Sequence, residues 1–166
     1  MKKIFETFKP KNSIVKKYVD YYYLDIKPDN EISEFQCFPH FNNTISLYKS
    51  HIRLEDGEMV FEKTAMPFQI FTPIRTTVLN VKQRGKVERI VIVFHPLGIQ
   101  QFYKDLDFSN YITDYEFFTQ SEVDKIFSLL SMDILPSFLN CLLENKFEKF
   151  ENIILEKSIK SSEKKK

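Results

Sequence analysis

Only three glycines occur in this chain of 166 residues, and each stands where a strand-like run has to turn. Gly57 follows Asp56 between the apolar runs 52–54 and 59–61. Gly85 lies between the runs 76–81 and 87–94, in Arg84-Gly85-Lys86, and Gly98 comes just after the last run. Glycine accepts positive φ without a steric penalty, so a chain that keeps it for such points is punctuating short strands. The Asp-Gly pair predicts a type I′ hairpin, and Arg84-Gly85-Lys86 predicts a second hairpin. The runs are rich in β-branched and aromatic residues, which suit a pleated surface. They are 18–26 (with four tyrosines), 35–38, 44–48, 52–54, 59–61, 68–71, 76–81 and 87–94. Asn12-Ser13 ahead of Ile14 can cap one helical turn leading into the first run. Roughly eight such strands are enough for a small closed barrel.

From residue 98 the period changes. Residues 98–104 read as a short helix after Pro96. Thr119-Gln120-Ser121-Glu122 has the capping-box pattern. Val123, Ile126, Phe127 and Leu130 then recur at helical spacing. Asp133 can cap a further helix, with Leu135, Phe138, Leu139, Leu142 and Leu143 on one face. Pro136 is tolerable there because it falls in the first turn. A weaker helix is predicted over 147–159. The expected fold class is therefore α+β, a small antiparallel β-barrel followed by two to three C-terminal helices. The barrel is assigned to residues 1–97, a helical segment packed on it to 98–159, and a flexible, lysine-rich tail to 160–166.

Composition narrows the function classes. Hydrophobic residues make up 43% of the chain and phenylalanine alone occurs 17 times, so a packed core is available and disorder is excluded. The formal net charge of +1 gives no global attraction to nucleic acid or to an anionic membrane. The longest apolar run, 90–94, is far short of the ~20 residues that span a bilayer. The start, Met1-Lys2-Lys3-Ile4-Phe5-Glu6, has no signal-peptide core. Cys37 and Cys141 form no disulfide framework, which fits a reducing cytoplasmic setting. No phosphate loop or nucleophile elbow is present. The three histidines, His40, His51 and His95, include no His-x-His pair of the kind that places two imidazoles on one ion. The expectation is a chain without metal, cofactor or enzymatic activity.

One stretch carries a resemblance. In Ile92-Val93-Phe94-His95-Pro96-Leu97-Gly98-Ile99-Gln100-Gln101-Phe102-Tyr103 a hydrophobic strand ends in Phe-x-Pro-x-Gly and passes directly into a short helix. This resembles the end of the last barrel strand in the N-terminal domains of one branch of AraC-type transcription regulators. Other pieces follow in the family's order. Phe8-Lys9-Pro10, then Ile14-Val15 and the tyrosines of 18–23, is similar to its opening proline, short helix and aromatic strand. Pro39 ahead of Ile45-Ser46-Leu47, and Phe71-Thr72-Pro73 ahead of 76–81, are similar to later elements. The helices over 122–146 resemble the segment that links barrel to DNA-binding domain. The resemblance covers about residues 5–147. The family often has glycine where Leu97 and Thr72 stand, and tryptophan where Tyr22 or Tyr23 stands.

The resemblance implies a cupin-like barrel (a double-stranded β-helix) that senses a small-molecule effector and dimerises. A barrel of this size can hold a ligand among alternate side chains. The candidate pocket residues are the aromatics Tyr21, Tyr23, Phe38, Tyr48 and Phe61, with the polar His40, Arg75 and Arg89. Leu135, Phe138, Leu139, Leu142 and Leu143 are the candidate dimerisation face of a homodimer, with intramolecular core as the alternative reading of the same face. DNA would be bound only through a helix-turn-helix domain, and the roughly 20 residues after Phe147 are too few for the pair of such units that the family carries. The alternatives are a stand-alone cupin-like binding protein or enzyme, and a protein-interaction module.

Overall fold

The computed structural model describes residues 2–130 and 133–164. The strands are β1 (Ile4–Phe8), β2 (Val19–Lys27), β3 (Ile32–Cys37), β4 (Asn43–Tyr48), β5 (His51–Arg53), β6 (Met59–Phe61), β7 (Phe68–Thr72), β8 (Leu79–Arg84) and β9 (Val87–Phe94). The helices are a single turn, α1 (Val15–Tyr18), then α2 (Gln120–Ser128) and α3 (Leu135–Lys164). A 3₁₀ turn, Ile99–Gln101, stands where a longer helix over 98–104 is predicted. Asn12 Oδ1 accepts from the N–H groups of Ile14 and Val15 and starts α1 as the sequence predicts. Thr119 and Glu122 complete the capping box that starts α2.

The α+β class holds, but the strands lie in two sheets rather than in a closed barrel. One sheet has five antiparallel strands in the order β1-β2-β9-β4-β7. The other has four, in the order β3-β8-β6-β5. Within the second, β6 and β8 run parallel, which an all-antiparallel barrel does not allow for. The predicted hairpin around Gly85 is also overturned. Gly85 does take a positive φ of 84°, but β8 pairs with β3 and β6 while β9 pairs with β2 and β4. The turn carries the chain from one sheet to the other. A turn signal fixes the local backbone and says nothing about which strand becomes a partner. The Asp56-Gly57 hairpin does form, joining β5 to β6. Its hydrogen bonds, Gly57 N–H to the Leu54 carbonyl and Leu54 N–H to the Glu58 carbonyl, make it a three-residue loop with Gly57 left-handed, not type I′.

The two faces of the five-stranded sheet differ sharply. Tyr22, Leu24, Ile45, Leu47, Phe71 and the β9 residues Ile90, Ile92 and Phe94 project to one side and join the helices in the main apolar core. Leu135, Leu139 and Leu143 of α3 are buried in that core, and Phe138 and Leu142 pack against it. The candidate dimerisation face is thus an intramolecular one. A single α3 also replaces the two separate helices and takes in residues 160–164 of the predicted tail. Tyr22 donates a buried hydrogen bond of 2.7 Å to Asn140 Oδ1, fixing α3 to the sheet. Gln69 does the same for the segment before α2, exchanging hydrogen bonds with the N–H and carbonyl of Phe118.

The Phe-x-Pro-x-Gly corner joins the sheet to the helices. His95 N–H donates to the Tyr18 carbonyl at 2.9 Å, and Gly98 N–H donates to the His95 carbonyl at 2.8 Å. Gly98 itself has an ordinary helical φ of −65°. The sharp turn falls instead on Leu97, at φ 63°, with a side chain 68% exposed. Glycine is needed at 98 for space, because a Cβ there would overlap the Tyr18 carbonyl oxygen. Substitutions at these adjacent positions should therefore have different signs. Gly98→Ala should destabilise the protein by at least about 1–3 kcal/mol through overpacking. Leu97→Gly should be neutral or up to about 1 kcal/mol stabilising, because it relieves a left-handed leucine. Urea unfolding of both variants measures the contrast.

Candidate functional site

The other face of the five-stranded sheet looks toward the four-stranded sheet. The β9 residues of opposite parity, Arg89, Val91 and Val93, are on this side, and so are Tyr21, Tyr23 and Asp25 of β2 and Thr44, Ser46 and Tyr48 of β4. Among the described residues only a small apolar cluster forms here, Tyr48, Met59 and Ile70 with Phe68 against it. Between the sheets lies a cavity of about 250 Å³ with walls from both.

Six of the eight candidate pocket residues come together on its wall: Tyr21, Tyr23, His40, Tyr48, Arg75 and Arg89. Phe38 and Phe61 do not. Phe38 lies one residue past the end of β3, so it takes the face opposite Cys37 and is 69% exposed. Phe61 shares the parity of the wall residue Met59 but lies further along β6, edge-on to His51 at 5.8 Å. The remaining aliphatic and polar wall residues were open to sequence reasoning in part. Thr44 and Ser46 alternate with Tyr48, and Cys37 with Phe35, so one correct face in each strand implies the rest. Nothing in the sequence pointed to Tyr111 or Arg53, which arrive from a loop and from the short β5.

Arg89 is the centre of the site. It is 7% exposed and directly opposite Asp25 across the β2–β9 pair. Its Nη2 donates to Asp25 Oδ2 at 2.9 Å and its Nη1 to the Tyr48 hydroxyl at 3.3 Å. Its guanidinium also stands over the rings of Tyr23, Tyr48 and Phe35, 5.4–5.8 Å from their centroids. Burial works against its charge, but the Asp25 carboxylate and the hydrogen bond to Tyr48 oppose burial and keep it protonated. Burial pushes the Tyr23 phenol up, against the Arg89 charge, so Tyr23 stays neutral. Gln83 Nε2 donates to the same Tyr48 hydroxyl at 3.3 Å, tying the two sheets together.

At the other end, residues His40 and Arg75 form an isolated antiparallel bridge between the β3–β4 and β7–β8 loops. The His40 ring accepts from Asn42 N–H through Nδ1, which leaves Nε2 to carry the proton of the neutral ring. His95 lies elsewhere, in an open groove with Lys9, Lys16 and Asp20. Among the described residues no three of His, Cys, Asp and Glu are grouped so as to hold a metal ion. No described helix is long and apolar enough to cross a membrane.

His51, beside Tyr48, is buried with Nδ1 on the Lys49 carbonyl and Nε2 2.9 Å from the Lys86 carbonyl. Burial lowers its pKa below the ordinary 6.5, and the two carbonyls and Glu88 only partly oppose that.

No family model, no curated protein and no solved structure matches this chain.

Asp25→Asn should leave the Arg89 guanidinium buried without its counter-charge and cost about 3–5 kcal/mol, read from denaturant unfolding. Because folding lowers the His51 pKa, the unfolded chain binds the extra proton first as pH falls. Stability from this group is present above about pH 6.5 and is lost below it. The urea midpoint should drop in that window, and His51→Gln should flatten that part of the profile.

Proposed function

We propose that this chain is a small-molecule-binding regulatory domain, with the space between its two sheets as the ligand site. One observation carries the reading. The space between stacked sheets is ordinarily filled by interdigitating apolar side chains. Here the apolar side chains gather on the helix side of the five-stranded sheet, and the inter-sheet space is left open and lined with aromatic rings and polar groups. An unfilled interior space weakens a fold in proportion to its volume. Aromatic walls carrying a few polar groups are what small-molecule sites use.

The Phe94–Gly98 corner adds the regulatory part. In this reading the chain is the effector-sensing half of an AraC-type regulator, with the paired sheets as an open version of the cupin-like double-stranded β-helix. Strand β9 suits that role because it touches both sides. Arg89 and Val93 line the cavity, while Ile90, Ile92 and Phe94 are packed against the helices. A ligand that binds one arrangement of β9 better than another would shift the helices with it. DNA contact belongs to a separate module.

The test is a thermal-shift screen of sugars, aromatics and antibiotics on this chain. A ligand at about a hundredfold above its Kd should raise Tm by about 5–10 °C. Ser46→Phe, placed to fill the cavity, should keep a cooperative melt and lose that shift. A flat response of the native chain across the screen, or an unchanged shift in the Phe variant, would count against the site.

A further inference from the structure

The cavity wall has a surplus of hydrogen-bond donors. The Nε of Arg89 and the Nε of Arg75 are both buried without a partner, and both residues line the cavity. Among the described residues the unpartnered buried acceptors, Asn43 Oδ1 and Gln100 Oε1, belong to residues outside its wall, as does Glu58, whose Oε1 is ion-paired with Arg84 at 2.9 Å. Tyr48 leans the same way, because its hydroxyl oxygen already accepts from Arg89 and Gln83 and its own proton is left to donate. Unpaired buried polar groups are costly, so two on one wall, of one kind, point to what is brought in from outside.

Charge agrees with the donor count. Arg89 is matched by Asp25 at 2.9 Å, which makes that pair neutral. Arg75 and Arg53 also line the cavity, and neither has a carboxylate within ion-pair distance among the described residues. Asp56 on the same wall offsets one of them. The wall is left with about one positive charge, which suits a monoanion better than a phosphate dianion or a cation. A sugar would bring hydroxyl donors against a wall already rich in donors. The size of about 250 Å³ lies just under the range of drug-sized sites, which favours a compact metabolite.

We infer that the cavity takes a small organic carboxylate on an aromatic or apolar body, its carboxylate held by Arg75 and its body by Tyr21, Tyr23 and Tyr48. The inference rests on the ligand-binding reading above and adds the chemical class. Guanidinium groups bind carboxylates through short, charge-assisted hydrogen bonds, and the planar fork fits two oxygens at once. Tyrosine rings offer apolar area at small entropic expense. Arg75 is the group to vary, because its bridge to His40 is made by backbone and Arg89 is needed for folding.

The experiment is calorimetric titration of the whole chain with benzoate, phenylacetate and hexanoate, each beside its amide, which has the same shape without the charge. At least one acid should bind, and its amide should bind at least about tenfold more weakly. Arg75→Gln, with its melting curve recorded as a check on folding, should remove most of that preference and leave amide affinity where it was. An amide that binds as well as its acid, or an Arg75→Gln variant that binds the acid like the native chain, overturns the carboxylate assignment and leaves the cavity reading standing. So does silence from all six probes alongside a hit from the neutral members of the thermal-shift screen. Silence in both experiments removes the two together.

Discussion

Val87–Phe94 runs through the five-stranded sheet, paired with β2 on one edge and β4 on the other. Its side chains alternate between two environments with different physics. Ile90, Ile92 and Phe94 are essentially inaccessible and belong to the helix-side core. Arg89 and Val93 face the opposite way, onto the cavity. Every neighbouring strand inherits this division through register: Leu24 and Leu47 flank Ile90, while Asp25 and Tyr48 flank Arg89. A slip of one residue would place a guanidinium among phenylalanines and an isoleucine beside an aspartate, so the alternation fixes register as well as layer.

Burying an arginine is tolerable only with its charge matched, and the sheet supplies a counter-charge and a hydrogen-bond acceptor from neighbouring strands while the Arg89 Nε stays unpartnered. Asp25 comes from β2 and the Tyr48 hydroxyl from β4, and each stands opposite Arg89 by strand pairing alone. Gln83 reaches the same hydroxyl from the other sheet, so one polar cluster fastens the two sheets where apolar packing is thin. Replacing that cluster by aliphatic side chains would give a better-filled sandwich and no site. The cost of keeping it falls on a fold whose stability comes from the other side of the sheet, where Tyr22 and Asn140 fasten the long helix.

How much could be read in advance varied with the reach of the interaction. Several short-range signals were dependable. The run 87–94 and the run 59–61 became strands with those bounds, the capping box at Thr119 opened α2, and Asn12 capped the turn before β2. Signals about partners were not. The Gly85 turn looked like a hairpin because its residues suit one, yet its two strands joined different sheets. β1 went unread because Ile4-Phe5-Glu6-Thr7-Phe8 is an edge strand whose Phe5 points to solvent, with little alternation to mark it. In the site, Tyr21 and Tyr23 were found because tyrosines at alternate positions share a face. Phe38 was misplaced because the strand stops at Cys37, one residue before it.

The sequence by itself determined the local grammar of this protein: where most strands lie, where the chain turns, where helical period begins, and that Phe94–Gly98 is a corner. These depend on backbone sterics, capping and periodicity, all of which act within a few residues. Only the tertiary structure decided that the strands would divide into two sheets, that the apolar core would lie on the helix side, and that Leu135, Leu139 and Leu143 of α3 would face inward. It also decided that Arg75 and Arg89 would share one cavity. Each of those outcomes is a pairing between distant segments, set by which faces bury the most apolar area together while matching the charges left over, and no window of sequence contains both partners.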